Sequence, residues 1–230
     1  LLVGCEVEPD LDVDASLAEL DRLAASVRLA DRSPAGAAAA LRAVLGDFRG
    51  TAEDYEDVRS SLLHQVLRRR RGLPILLSVV WCEVAARLDL PAVLLGLPGH
   101  VLVCIGDPLD EHVVVDPFAG GPVVDVVAQP VLAGAEVLLR VLTNIRALTT
   151  RQQRSLETAR TRLWATELSL LLPRHPVELR RERGELLVRL GDHLGGAAEL
   201  EDYAALVEDV DQPGAEEARR SARLARARLN

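Results

Sequence analysis

Several things are scarce in this 230-residue chain. It has three cysteines, no methionine and only 3% aromatic residues. Cys5, Cys82 and Cys104 are odd in number and form no CxxC, which argues against a disulfide framework or a zinc knuckle. A reducing, cytoplasmic compartment fits better. No apolar run approaches the roughly 18 residues a bilayer-spanning helix needs; the longest, Leu73 to Val80, is interrupted by Ser78. The opening "LLVGCEVEPD" has neither a basic n-region nor an initiator Met, so it reads as a chain without its native start and not as a signal peptide. Net positive charge is also absent. The formal charge is -8 and the sequence pI about 5.2, which argues against a nucleic-acid or other polyanion partner while leaving room for a local basic patch, and no membrane partner is expected.

What is present is apolar periodicity; hydrophobic residues make up 49% of the chain, enough for a sizeable core. Leu17, Leu20, Leu23, Val27 and Ala30 recur at helical spacing, and Ser33-Pro34 opens a second helix with Leu41, Val44 and Leu45 inward. "LGDFRGTAEDY" reads as a loop. The spacing of Leu62, Leu63, Val66 and Leu67 predicts a helix from Val58 to Arg70, stopped by "RRRRG". Pro74 suits the first turn of a helix that is apolar on nearly every face, and is therefore expected in the middle of the fold. The runs "AVLLGL", "HVLVCI" and "HVVVD" predict short strands, "GDPLDE" an antiparallel hairpin between the last two, and "VVDVV" one strand more. Helices recur near 141–150, 153–171, 176–190, 196–208 and 214–228. Gly184, Leu187 to Gly191, Ala197, Ala198, Tyr203 and Pro213 have the placement of a tetratricopeptide repeat, after a degenerate copy that ends at Pro173 to Pro176. The expected class is α+β: a helix-rich core with a small antiparallel sheet over 1–135, and an all-α tetratricopeptide-like region over 136–230.

The chemistry gathers on the hairpin. If it is symmetric about Pro108, His100 lies opposite Asp116, Leu102 opposite Val114 and Cys104 opposite His112, all on one face by period-two alternation. A carboxylate beside an imidazole can orient the ring and fix its tautomer. In the plainer reading, His100 is a structural residue after a Pro-Gly turn and Asp116 caps the "DPF" turn. Ser78 is the candidate hydroxyl; as a packing residue it would bond its own helix's i−4 carbonyl. Cys82 reads as buried and inert. Cys104 with His112 makes a second Cys–His pair but has no oxyanion hole. His100, His112 and Asp116 span too much of the hairpin for one metal ion, and no metal or cofactor is expected. Arg68 to Arg71 suit either a solvated helix end or an anion site beside Gly72-Leu73-Pro74.

The blocks "RRRRGLPILLSVVWCEVAARLDLP", "GLPGHVLV" and "VVVDPFAGG", with "RVLTNIR" and the repeat-like tail, resemble the bacterial SirB-type branch of the transglutaminase-like superfamily. The likeness runs from about residue 15 to the end. It implies a papain-like core with a Cys at the start of the central helix and a His and an Asp on adjacent strands. His100 and Asp116 then stand in the His and Asp slots, and the Cys slot falls on Pro74 or Ile75, neither of which can attack a carbonyl. Ser60 stands where the family usually has Asn. The sequence therefore points to a noncatalytic module that binds a peptide or protein. The alternative is an amide-cleaving or acyl-transfer hydrolase using His100 and Asp116 with Ser78 or water as nucleophile. Arg70, Arg71, Gly72, Pro74 and Gly99 are the candidate binding residues.

Overall fold

A computed structural model of the chain describes residues 1–127 and 129–229. The chain divides into two compact units, Leu1–Val137 and Leu138–Asn230.

In the first unit, α1 (Val13–Ser26) starts where Asp12 accepts the amide of Ala15 at 2.9 Å, and α2 (Pro34–Leu45) where Ser33 accepts that of Gly36. The helix expected over 58–70 is shorter. Val58–Ser61 tightens into a 3₁₀ turn, and α3 runs only over Leu63–Arg69. Its cap, Arg70, takes a left-handed conformation with φ +52°. The loop before it holds a further 3₁₀ turn, Ala52–Glu56. α4 (Pro74–Arg87) is the central helix, with residues 74–78, Val80, Trp81, Val84 and Ala85 all buried.

The sheet is an antiparallel meander of β1 (Ala92–Leu97), β2 (His100–Gly106) and β3 (His112–Val115), in the order β1-β2-β3. The Pro98-Gly99 turn joins Leu97 directly to its ladder partner His100, and Gly99 supplies the positive φ of +69° that the second turn position requires. Helices α4 and α2 pack on the sheet. Leu95, Leu102, Cys104 and Val114 form a separate apolar cluster, closed by Val93, Leu97, Val124 and Val126. "VVDVV" does not form the expected strand. Val123 makes a single bridge to Val115, and Val124 N–H donates to the Val114 carbonyl.

The hairpin register differs from symmetry about Pro108. Val103 faces Val115, Cys104 faces Val114, and Gly106 faces His112. Asp107 accepts the amide of Leu109 at 2.9 Å, and its own N–H donates to the Glu111 carbonyl, which puts the loop tip at Leu109. The ladder slips by two places, so every side chain keeps its face.

α5 (Gly134–Arg151) crosses the boundary between the units. In the second unit, α6 (Leu156–Leu170), α7 (Glu178–Leu190), α8 (His193–Val207) and α9 (Gln212–Ala227) each pack on the next. Gly184 and Gly196 let α7 and α8 approach closely. A Cβ on Gly184 would lie 2.8 Å from Leu200 Cγ and 3.0 Å from the Gly196 carbonyl. Glu182 of α7 holds Arg146 and Arg162, a partly buried ionic knot. No helix among the described residues is long and apolar enough to cross a membrane.

Candidate functional site

His100 begins β2 and Asp116 follows β3, and the structure brings them together. Nε2 of His100 lies 3.1 Å from Oδ2 of Asp116, with 28% and 19% of the two side chains exposed. The other carboxylate oxygen accepts the amide of Phe118 at 3.0 Å. The DPFAGG turn folds back on itself, with Gly121 N–H donating to the Asp116 carbonyl at 2.7 Å. Asp116 thus serves both roles weighed from the sequence, as turn cap and as imidazole partner. Burial alone would raise its pKa. The hydrogen bond and charge of His100 and the amides of Phe118 and Ala119 outweigh it, so the carboxyl titrates below its ordinary value. With Nε2 committed to Asp116, Nδ1 is the ring nitrogen left to a ligand or water.

Two aromatic rings complete the site, and sequence reading did not find them. Phe118 meets the His100 ring edge-on, with centroids 5.9 Å apart, and Tyr55 meets Phe118 at 6.1 Å. Burial raises the pKa of Tyr55, and the negative charge of Asp116 adds to the effect, so the phenol keeps its proton. Of six Phe, Tyr and Trp residues in the chain, two stand beside this one pair. That scarcity was the available signal.

The start of α4 is tied to the same place through backbone. Gly50 N–H donates to the Phe118 carbonyl at 3.0 Å. A Cβ on Gly50 would overlap the Phe118 ring and crowd the Gly72 carbonyl. Leu73 N–H bonds the Ser60 carbonyl, and Pro74 opens the helix. The first two positions of that helix are Pro74 and Ile75, both buried and neither carrying a heteroatom on its side chain.

Ser78 is fully buried, and its hydroxyl donates to the Val101 carbonyl of β2 at 3.2 Å, not to its own helix. Burial pushes the Cys82 thiol up to about 12, and that of Cys104 up as well. Cys104 faces Val114, while exposed His112 turns its Nδ1 to the Asp110 carbonyl at 2.9 Å, so the two do not meet. Among the described residues, no group of three His, Cys, Asp or Glu could hold a metal ion.

The arginine run is engaged within the chain. Arg69 pairs with Asp57 at 3.0 Å and Arg70 with Asp47 at 3.6 Å; Arg70 also lies over the Phe48 ring. Arg71 donates to Thr51 Oγ1 at 2.9 Å and Asp54 Oδ2 at 3.1 Å. Asp54, 1% exposed, also accepts the Thr51 amide and the Ser60 hydroxyl. Ser60 therefore acts as one link in a buried clasp. Gly99 lies in the exposed turn just before His100, with open space where a Cβ would stand.

A UPF0162 protein of Xylella fastidiosa strain Temecula1 is 33% identical over 182 residues, 69% of this chain and 63% of that protein. A UPF0162 protein of Pseudomonas aeruginosa is 34% identical over 125 residues, 52% of this chain and 45% of that protein. F-box only protein 21 of Mus musculus is 33% identical over 81 residues, 32% of this chain and 13% of that protein. The chain thus spans less than two thirds of the length of each of these relatives. No solved structure matches at a comparable level. Residues 14–159, more than half of the chain, match the profile of one family, and the central helix, the meander and the His–Asp pair all fall inside that match. On that ground the chain belongs to the transglutaminase-like superfamily.

Proposed function

We propose that this chain is a peptide- or protein-binding member of the superfamily that does not carry out thiol chemistry. One observation carries the reading: His100 and Asp116 stay paired at 3.1 Å while Pro74 and Ile75 occupy the helix start where the superfamily's nucleophile belongs. The remaining candidates are poorly placed to replace it. Ser78 is sealed from solvent with its proton on Val101, and burial holds the Cys82 and Cys104 thiols protonated. The SirB-type assignment and the tetratricopeptide-like pattern over 136–230 fit the same reading, because stacked helix pairs commonly present binding surfaces. The pairwise packing of α6 to α9 is compatible with such repeats.

A hydrolytic reading is favoured by one feature, the partial exposure of the pair, which would let His100 activate a water. One experiment separates the two. Wild type and His100→Ala are offered serine- and thiol-reactive probes and a panel of amides and esters, and both are used in a peptide-display selection. Binding predicts enriched peptides that His100→Ala no longer retains, and no labelling or turnover that depends on His100. His100-dependent turnover, or a selection without enrichment, overturns the proposal.

A further inference from the structure

We infer that the His100–Asp116 site takes a cationic side chain, Arg or Lys, of its peptide partner, held by Asp116, the Nδ1 lone pair of His100 and the rings of Phe118 and Tyr55. This rests on the peptide-binding reading above and adds the chemistry of what is bound.

Four observations converge. The pair presents acceptors. Asp116 is ionised at neutral pH, and in the imidazole form of His100 that donates Nε2–H to it, Nδ1 offers a lone pair. An arriving ligand must then supply donors, and an anion would meet the Asp116 charge. The neighbouring rings are the second observation. A cation within about 6 Å of an aromatic centroid is attracted to the ring face; Phe118 adjoins the imidazole and Tyr55 packs on Phe118, both partly exposed.

Third, the arginines that end α3 are held by other carboxylates. Arg69, Arg70 and Arg71 pair with Asp57, Asp47 and Asp54, and the Asp116 carboxylate pairs with the imidazole of His100, not with one of these arginines. The fourth is the field of the unit. Leu1–Val137 holds 21 Asp and Glu against 11 Arg and no Lys, a formal charge of -10, whereas the whole chain carries -8. Such a field concentrates cationic ligands and repels anionic ones.

The sheet also restricts how a peptide can bind. Strand addition needs a free edge. Gly96 and Leu94 on the outer side of β1 are bonded to Pro130 and Leu132, and Val114 and Asp116 on the outer side of β3 are bonded to Val124 and Pro122. Recognition at this end of the sheet therefore falls to side chains.

The test uses the full chain and three fluorescent peptides of one length and one background, bearing Arg, Gln or Glu at the same positions. Anisotropy is read up to roughly millimolar protein, the weak limit of specific binding. The Arg peptide is expected to bind about tenfold tighter than the Gln peptide, with the Glu peptide weakest, and to lose affinity with added salt. Asp116→Asn should abolish the preference for Arg over Gln. Tyr55→Leu should weaken the Arg peptide roughly two- to fivefold, and it reports on the site even if Asp116→Asn fails to fold. Arg22→Ala, on the exposed face of α1 where it pairs with Glu19, should leave affinity unchanged. If Gln or Glu peptides bind as well as Arg peptides in a His100-dependent way, the cation assignment fails and the peptide-binding reading stands. If the preference for Arg survives Asp116→Asn and Tyr55→Leu, the cation sits elsewhere and the assignment fails. If none of the peptides binds, both readings fail.

Discussion

His100 and Asp116 hydrogen-bond at 3.1 Å, yet they are not ladder partners. The β2–β3 register pairs Val103 with Val115, so an extended ladder would set Asp116 opposite Leu102. The two residues are diagonal neighbours, about 7–8 Å apart in backbone terms, a gap that long polar side chains can close. What makes the diagonal work is the turn after β3. It bonds Asp116 through the amides of Phe118 and Gly121 and aims its carboxylate back at β2.

The depressed Asp116 pKa has a consequence for stability. The folded value lies below that of the unfolded chain, so the ionised carboxylate stabilises the fold fully above about pH 3.9. That stability is lost as pH falls through the folded value. Asp116→Asn is expected to cost about 1 kcal/mol at neutral pH, after discounting for partial exposure. Urea denaturation at stepped pH checks this. The gap between variant and wild type should hold from neutral pH to about pH 5 and narrow below about pH 4. A gap that does not change with pH would rule out the charge as its source.

The pair was legible in the sequence because side-chain alternation in a strand has period two. Placing the hairpin tip one residue early, at Pro108 and not Leu109, moves the register by two and leaves every face intact. The central helix was legible from its unbroken apolar composition. Other features depend on contacts distant in sequence. Arg71 reads locally as a helix-end cation, but its partners are Thr51 and Asp54. Ser78 reads as bonding its own helix, but its partner is Val101. Tyr55 and Phe118 sit in 3₁₀ turns too short to carry any periodicity, so nothing local marks them as neighbours of His100.

The clasp around Asp54 predicts a stability effect at a residue read from sequence as a binding candidate. Asp54 is 1% exposed and accepts from Thr51, Ser60 and Arg71. Asp54→Ala orphans these donors and should cost about 3 kcal/mol. Arg71→Ala removes a side chain that is 46% exposed and should cost about 1 kcal/mol. A double-mutant cycle by chemical denaturation should return a coupling of about 1 kcal/mol between them. Strict additivity would show that Arg71 is not part of the clasp.

Two glycines with similar backbones should respond very differently to alanine. Gly99 has φ +69° and open space around it, while Gly121 has φ +77° with the ring of fully buried Trp81 where a Cβ would go. Gly99→Ala bears only the left-handed backbone penalty, about 1 kcal/mol. Gly121→Ala adds overpacking against a ring that cannot retreat, for a total of about 3 kcal/mol. Its amide also anchors the Asp116 carbonyl, so a shift there moves the carboxylate away from His100. Equilibrium denaturation measures the two costs, and a His100 side-chain NMR titration measures the displacement. Equal costs for the two variants, or a His100 titration that Gly121→Ala leaves unchanged, would show that the Trp81 contact does not hold the turn in place.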